Sequence, residues 1–401
     1  MQRLGFLKYL VWQASLAPNN NLENLGNRLK NEVTRKISIE DSKPIQEYYK
    51  KILRKESFSD NQKENVSNTN KNQRNMEIQD YFLSDPEIPS HRGHLGMDDW
   101  TRYPYLATNL GLVNENNLSV KSRGLVFLNI VPIEEKKAFR DSPRDFINNP
   151  FKLSQKQNFF LLYCFIENDG DVLKKLYPKI LNSSQNFDDP KYYSEKEAGD
   201  LIPDIYKEIA KEFSKKKKLP QDQIVINKIL ETAKKIEFLK NTSGGGGKNA
   251  REHAITYRLE AFVDFGLIKK PDPYEYRYEQ NKRLAEFFQM MNNFKSVDEF
   301  ITTSFFTSIL DLYSIKLQPV HDEEMIMAQI KSAYNSIKNE IGYALINDIA
   351  ILASINGIND NSGFLEIKET SDFLMDQYKK RPNLMRFQID RQGHIKFIKF
   401  L

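Results

Sequence analysis

The chain holds a single cysteine, Cys164, among its 401 residues. One cysteine excludes an intrachain disulfide and any Cys-rich zinc site. Its place in the apolar run FFLLYCFIE marks Cys164 as a small buried hydrophobe rather than a nucleophile. The lack of paired cysteines suits a reducing cytoplasm, which is the expected location. Long apolar runs are missing as well. No stretch approaches the roughly 20 apolar residues of a membrane-spanning helix, so no membrane partner is expected. The opening MQRLGFLKYLVWQASLAPNN has the outline of a leader. Lys8 interrupts its apolar run and an Asn cluster ends it, so it reads as an ordinary first helix. Neither charge sign dominates: 59 Lys and Arg stand against 54 Asp and Glu, net +5. A dedicated polyanion binder would carry more, so nucleic-acid contact would have to rest on local patches. The GGGGK at 244–248 lacks the Ser or Thr that completes a phosphate loop and the strand that precedes it. No nucleotide site and no other cofactor is expected.

What is present is a chain that can build cores: 40% of its residues are hydrophobic and 12% aromatic. Three polar breaks punctuate it. SFSDNQKENVSNTNKNQRNM (57–76) reads as a flexible linker, NSSQNFDDPKYYSEKEAGD (182–200) as a turn-rich segment, and NTSGGGGKN (241–249) as a mobile turn. The expected fold is mainly α with small β-hairpins. It comprises an N-terminal helical segment (1–56), a linker (57–78), a first module (79–150), a helical spacer (151–240), a second module (241–295) and a helical region with a third module (296–401). Within the spacer, 153–181 predicts two helices around a turn at Asn168–Asp171. DLIPDIYKEIAKEFSKKK and QDQIVINKILETAKKIEFLK carry apolar residues at helical spacing. Ser296–Ser314 and Asp322–Gly357 are expected to be helical. Strands are expected at LSVKSRGLVFLNIV, around Tyr274–Tyr278, and in RFQIDRQGHIKFIKF, which folds back at Asp390–Gly393.

One pattern recurs. In TRYPYLATNLGLV (101–113) and AREHAITYRLEAFVDFGLI (250–268), a polar, Tyr-containing helix runs into a Gly-Leu-aliphatic step. In the second copy Ile255, Leu259, Phe262 and Val263 share one face, and Gly266 ends the helix. Arg251, His253, Tyr257 and Arg258 would then face a major groove, with Lys248, Lys269 and Lys270 on phosphate. In the first copy Arg102 and Tyr105 stand at the helix start, Pro104 suits a first turn, and Lys121 and Arg123 occupy the wing. The carboxylates Glu252, Glu260 and Asp264 oppose phosphate contact and leave a protein-binding reading open. The third unit is looser: GYALINDIAILASINGI (helix), GFLEI (strand), KETSDFLMDQYKK (helix), then a hairpin bearing Arg386, Arg391 and Lys396. That hairpin is either a phosphate-binding wing or an edge protected by charge.

Catalytic signals are sparse. Glu366-Ile-Lys368 has the Glu-x-Lys half of a metal-dependent nuclease motif, with Asp348 and Asp360 upstream, but neither acid has the strand context this chemistry needs. His91 and His94 near Asp98 and Asp99 read as a loop rather than a metal site. His321-Asp-Glu-Glu324 reads as a helix start and Lys215–Lys218 as a helix end, each complementing the dipole.

Both copies of the pattern resemble the winged helix-turn-helix superfamily, in the loose R…A…Y…L…GLI style of prokaryotic modules. The tandem arrangement resembles the DNA-recognition part of FokI-type restriction enzymes and accessory subunits of restriction or phage-defence systems. The resemblance implies a non-catalytic protein that binds duplex DNA and positions a partner supplying the catalysis. A protein-interaction scaffold and a divergent nuclease at Glu366 and Lys368 remain the alternatives.

Overall fold

The apolar spacing along this chain is helical for most of its length, and helices dominate the computed structural model. It describes residues 4–16, 24–25, 28, 102–133, 136, 153–181, 192–216, 220–241, 258–259, 261–268, 277–279, 282–389 and 395–401. The fold is mainly α with small antiparallel sheets. It divides into two units. The first comprises Met1–Lys121, Val131–Leu153 and Lys270–Glu275; the second comprises Ser122–Ile130, Ser154–Lys269 and Tyr276–Leu401.

In the first unit, α1 (Phe6–Leu16) packs on α2 (Arg102–Asn109). Phe6 meets Tyr103 edge-on at 5.3 Å, and both rings are buried. After α2 the chain makes one antiparallel bridge, Val113 to Val120. The intervening loop is closed by the Asn114 amide donating to the Ser119 carbonyl, with Leu118 at φ 53°.

The second unit is organised by α4 (Gln155–Leu181), preceded in sequence by α3 (Ser122–Ile130). Every residue from Phe159 to Ile166 is buried, the mark of a helix packed on all sides. Its turn formers do not break it, contrary to the two helices expected across 153–181. The Asn168 side-chain amide donates to the Cys164 carbonyl at 2.7 Å, a bond inside the helix. Gly170 allows close approach of α8 (Val297–Thr303): a Cβ there would stand 2.7 Å from the Val297 side chain. These residues serve helix packing, not a turn.

LSVKSRGLVFLNIV is likewise not a strand pair. Only Val120 bridges, and α3 starts at Ser122, because Val126, Phe127 and Ile130 form a helical stripe that buries in the second unit. Phe127 stacks on Phe160 at 5.4 Å. The helices expected over DLIPDIYKEIAKEFSKKK and QDQIVINKILETAKKIEFLK are present as α5 (Glu195–Lys216) and α6 (Pro220–Asn241), packed on each other. Short strands β1 (Tyr192–Ser194) and β2 (Arg277–Glu279) pair antiparallel. The helices α7 (Lys282–Met291), α8 and α9 (Phe305–Leu312) follow.

The C-terminal stretch runs α10 (Glu323–Ile337), β3 (Ala344–Leu345), α11 (Ile346–Asn359), α12 (Ile367–Lys380), then the hairpin β4 (Met385–Ile389) and β5 (Ile395–Phe400). The sheet order is β3-β5-β4, all antiparallel. Asp322 caps α10 by accepting from the Met325 amide, as the acid-rich start suggests. The expected GFLEI strand reduces to one parallel bridge between Pro319 and Phe364. Two glycines make this corner possible. A Cβ on Gly357 would lie 2.2 Å from the Gly363 carbonyl oxygen, and Gly363 itself has φ 98°.

Candidate nucleic-acid interface

The recurring Gly-Leu-aliphatic step is a helix cap, and its two copies share one hydrogen-bond pattern. Gly111 donates to Thr108 and Leu112 to Ala107; Gly266 donates to Val263 and Leu267 to Phe262. Both glycines have φ 70°. This is the Schellman arrangement, in which a left-handed residue turns the chain and the next apolar residue folds back on the helix. Leu112, Leu267 and Ile268 are buried, so the step ends a helix and seals a core. The same bonds close α9 at Ser314 and Ile315, and α11 at Asn361 and Ser362. The cap is therefore not peculiar to one kind of module.

Two expected DNA contacts are turned inward. Arg258 is 2% exposed. Its Nη2 donates to Asp169 Oδ1 at 2.7 Å, its Nε also pairs with Asp169, and it lies 3.4 Å from the Tyr206 hydroxyl. A buried guanidinium without a carboxylate would be very costly, so this partner decides its orientation. Arg123 is not a wing residue. It pairs with Glu167 through two nitrogens, lies 3.5 Å from the Asp348 carboxylate and stands over the Tyr163 ring at 5.4 Å. Asp348 is buried, and neither of its oxygens has a hydrogen-bond partner. Burial pushes its pKa up against the opposing pull of Arg123. Burial also pushes Cys164 up to about 12, which keeps it an unreactive thiol as its apolar run implies.

Other expected contacts keep an open position. Tyr105 and Lys121 are exposed in the first unit. Arg386 and Lys396 are exposed on the β4–β5 hairpin of the second. The backbone of Arg102 lies in α2, and its side chain is outside the described residues. Lys248, Arg251, His253, Tyr257, Lys269, Lys270 and Arg391 also lie outside them, as do His91 and His94.

The hairpin carries the clearest cationic surface. Arg386 is directly opposite Lys399 in the register, and Lys396 follows the turn. The strands MRFQI and IKFIKF contain no acid. Lys399, grouped with Arg386, Arg391 and Lys396 in the hairpin by the sequence, donates to the Ile341 carbonyl at 2.9 Å and lies over the Tyr343 ring. On α12 the charges cancel locally: Lys368 pairs with Asp372 and Lys380 with Asp376.

The acids and the lysine of the proposed nuclease motif do not converge. Glu366 is buried and accepts from the Phe306 and Thr307 amides at 3.1 and 2.8 Å, capping α9 while it also forms a capping box on α12. Burial raises its pKa against those bonds. Lys368 points to solvent. Among the described residues no cluster of three His, Cys, Asp or Glu can hold a metal, and no helix is long and apolar enough to cross a membrane.

Comparison of the chain with protein-family models, curated proteins and solved structures returns no match.

Proposed function

We infer that this protein binds duplex DNA without catalysing its chemistry, and that the C-terminal hairpin is its principal contact. The single observation that carries this reading is a hairpin whose two strands bear cations and no acid, in its setting. The succession α10, β3, α11, α12, β4, β5 with sheet order β3-β5-β4 matches the layout of a winged helix. In that layout α12 is the helix offered to a groove and the hairpin is the wing. Arg386 and Lys396 supply phosphate contacts, and the internally paired charges of α12 give it little net attraction of its own. The chain as a whole positions a partner protein on the duplex, as in a restriction or phage-defence system.

Fluorescence anisotropy of the full chain with a random-sequence duplex tests this. Affinity should fall steeply between about 50 and 200 mM salt. The double variant Arg386→Glu, Lys396→Glu should weaken binding and lower the log–log salt slope by about 2. A flat salt response, or a double variant that binds like the parent, would sink the DNA reading.

A second reading, a protein-interaction scaffold, is favoured by one observation: Arg123 and Arg258 are engaged inside the fold and α12 is locally neutral. The nuclease alternative is checked by incubating plasmid with Mg²⁺ or Mn²⁺. Cleavage abolished by the exposed substitution Lys368→Ala would establish it against the geometry.

A further inference from the structure

The three-stranded sheet of the second unit packs one face on helices and carries aromatic and cationic side chains on the other. Met385, Ala344 and Ile398 are buried, Phe400 meets Tyr334 of α10 at 4.9 Å, and Phe387 meets Tyr378 of α12 at 5.0 Å. These residues mark the inner face. Alternation along each strand puts their chain neighbours on the outer face, and residues opposite each other in the register share a face. Two rows result. Arg386 stands opposite Lys399; Gln388 stands opposite Phe397, which is also opposite Leu345. Tyr343, one residue before β3, extends the first row, with the Lys399 ammonium 5.7 Å from its ring centroid.

Arg386 and Gln388 are exposed, and Tyr343, Leu345, Phe397 and Lys399 are half-buried. These six residues include two aromatic rings, two cations and no acid. Lys396, exposed near the start of β5, adds a third cation 5.8 Å from the Phe397 centroid. Lys399 uses one ammonium hydrogen on the Ile341 carbonyl and has two more to offer. The acids nearest in sequence are Glu340, exposed in the turn before β3, and Asp390, which with its neighbour Arg391 lies outside the described residues.

We propose that this outer sheet face binds single-stranded nucleic acid, with Phe397 and Tyr343 stacking on unpaired bases while Arg386, Lys396 and Lys399 hold the adjoining phosphates. The inference rests on the reading that the hairpin meets nucleic acid, and it adds unpaired nucleotides to what the hairpin takes. Rings set beside cations suit a single strand, whose bases are free to stack on a protein surface. Duplex bases are stacked on one another and offer a protein only their edges, for which Phe397 has no polar group. A cation over a partly exposed ring is held more weakly than a stacked base. A base therefore displaces each ammonium, which stays within reach of the next phosphate.

The test measures fluorescence anisotropy of a labelled oligothymidylate of about 12 nucleotides with the full chain, beside the random-sequence duplex. The oligothymidylate should bind. Phe397→Leu and Tyr343→Leu keep an apolar side chain but remove the ring; each should weaken that binding at least about fivefold and leave duplex affinity within about twofold of the parent. Phe397→Trp should retain affinity, and the fluorescence it adds should be quenched by the oligothymidylate. This variant decides the matter if the leucine variants melt below the parent. Duplex binding without oligothymidylate binding would overturn this inference and leave the duplex reading standing, whereas failure of both probes would overturn the two together. Leucine variants that bind oligothymidylate like the parent, equal losses for both probes, or an unquenched tryptophan would also overturn it.

Discussion

At the scale of single residues, glycine positions separate two physical costs. Gly266 needs only its left-handed backbone: a Cβ there would meet nothing within 4 Å. Gly266→Ala should cost about 1 kcal/mol, the penalty of φ near 70° for an L side chain. Gly357 has ordinary helical backbone but no room, because the Gly363 carbonyl blocks its Cβ. Gly357→Ala should cost more, about 1–3 kcal/mol, because two backbones must part. Denaturant titrations of both variants measure the difference, and equal losses would contradict this division. Asp348 gives a prediction in pH. Its folded pKa is raised by burial, so the native state holds this proton more tightly than the unfolded chain does. The resulting stabilisation is complete below the unfolded value and is lost as pH rises through the raised folded value. Asp348→Asn should flatten that part of the stability–pH curve, with Arg123 still held by Glu167. An unchanged curve in denaturation at stepped pH would show that the carboxylate does not titrate in this way.

At the scale of elements, two arginines from the same sequence reading have opposite jobs. Arg258 ties the turn preceding the Gly266 cap to α4 through Asp169, whereas Arg386 stands on an exposed strand. Arg258→Ala should lower unfolding stability by about 3–5 kcal/mol, since it leaves a half-enclosed carboxylate unpaired. The folded fraction should bind duplex with the parent's salt slope. Arg386→Ala should do the reverse, leaving the melting transition nearly unchanged while lowering the slope by about 1. Parallel melting and anisotropy curves decide the matter; an altered slope for Arg258→Ala would return that residue to the interface. The helices, their ends and the C-terminal hairpin were legible because apolar spacing, Asp322 at a helix start and Gly266 at a helix end act through neighbouring residues. The continuity of α4 was not legible. Asn168 and Gly170 carry turn chemistry in isolation, and what overrides it is α8 packing against Gly170 and Arg258 reaching Asp169, both distant in sequence.

At the scale of the whole molecule, a net charge of only +5 means that attraction to DNA must come from where the cations stand. If the hairpin is the DNA contact proposed above, then with Arg123 and Arg258 withdrawn it meets phosphate rather than base edges. The full chain should therefore bind duplexes of unrelated sequence within a few-fold of one another, with Arg386→Ala weakening all of them alike. Strong preference for one sequence in a competition assay would require base-reading residues elsewhere. Of the candidate interface, the hairpin cations were readable because a β-hairpin places nearby residues together. The inward Arg123 and Arg258 were not, because Glu167, Asp348 and Asp169 show no sign in sequence that they await a guanidinium.

The amino-acid sequence by itself determined the class of this protein: mainly helical, without disulfides, its helices ended by left-handed caps at Gly111 and Gly266. Those properties depend on backbone sterics and on side chains a few residues apart. Only the tertiary structure decided which charges face water. A cation's exposure is settled by whether an acid from a distant helix lies within reach, and that meeting exists only once the chain has folded.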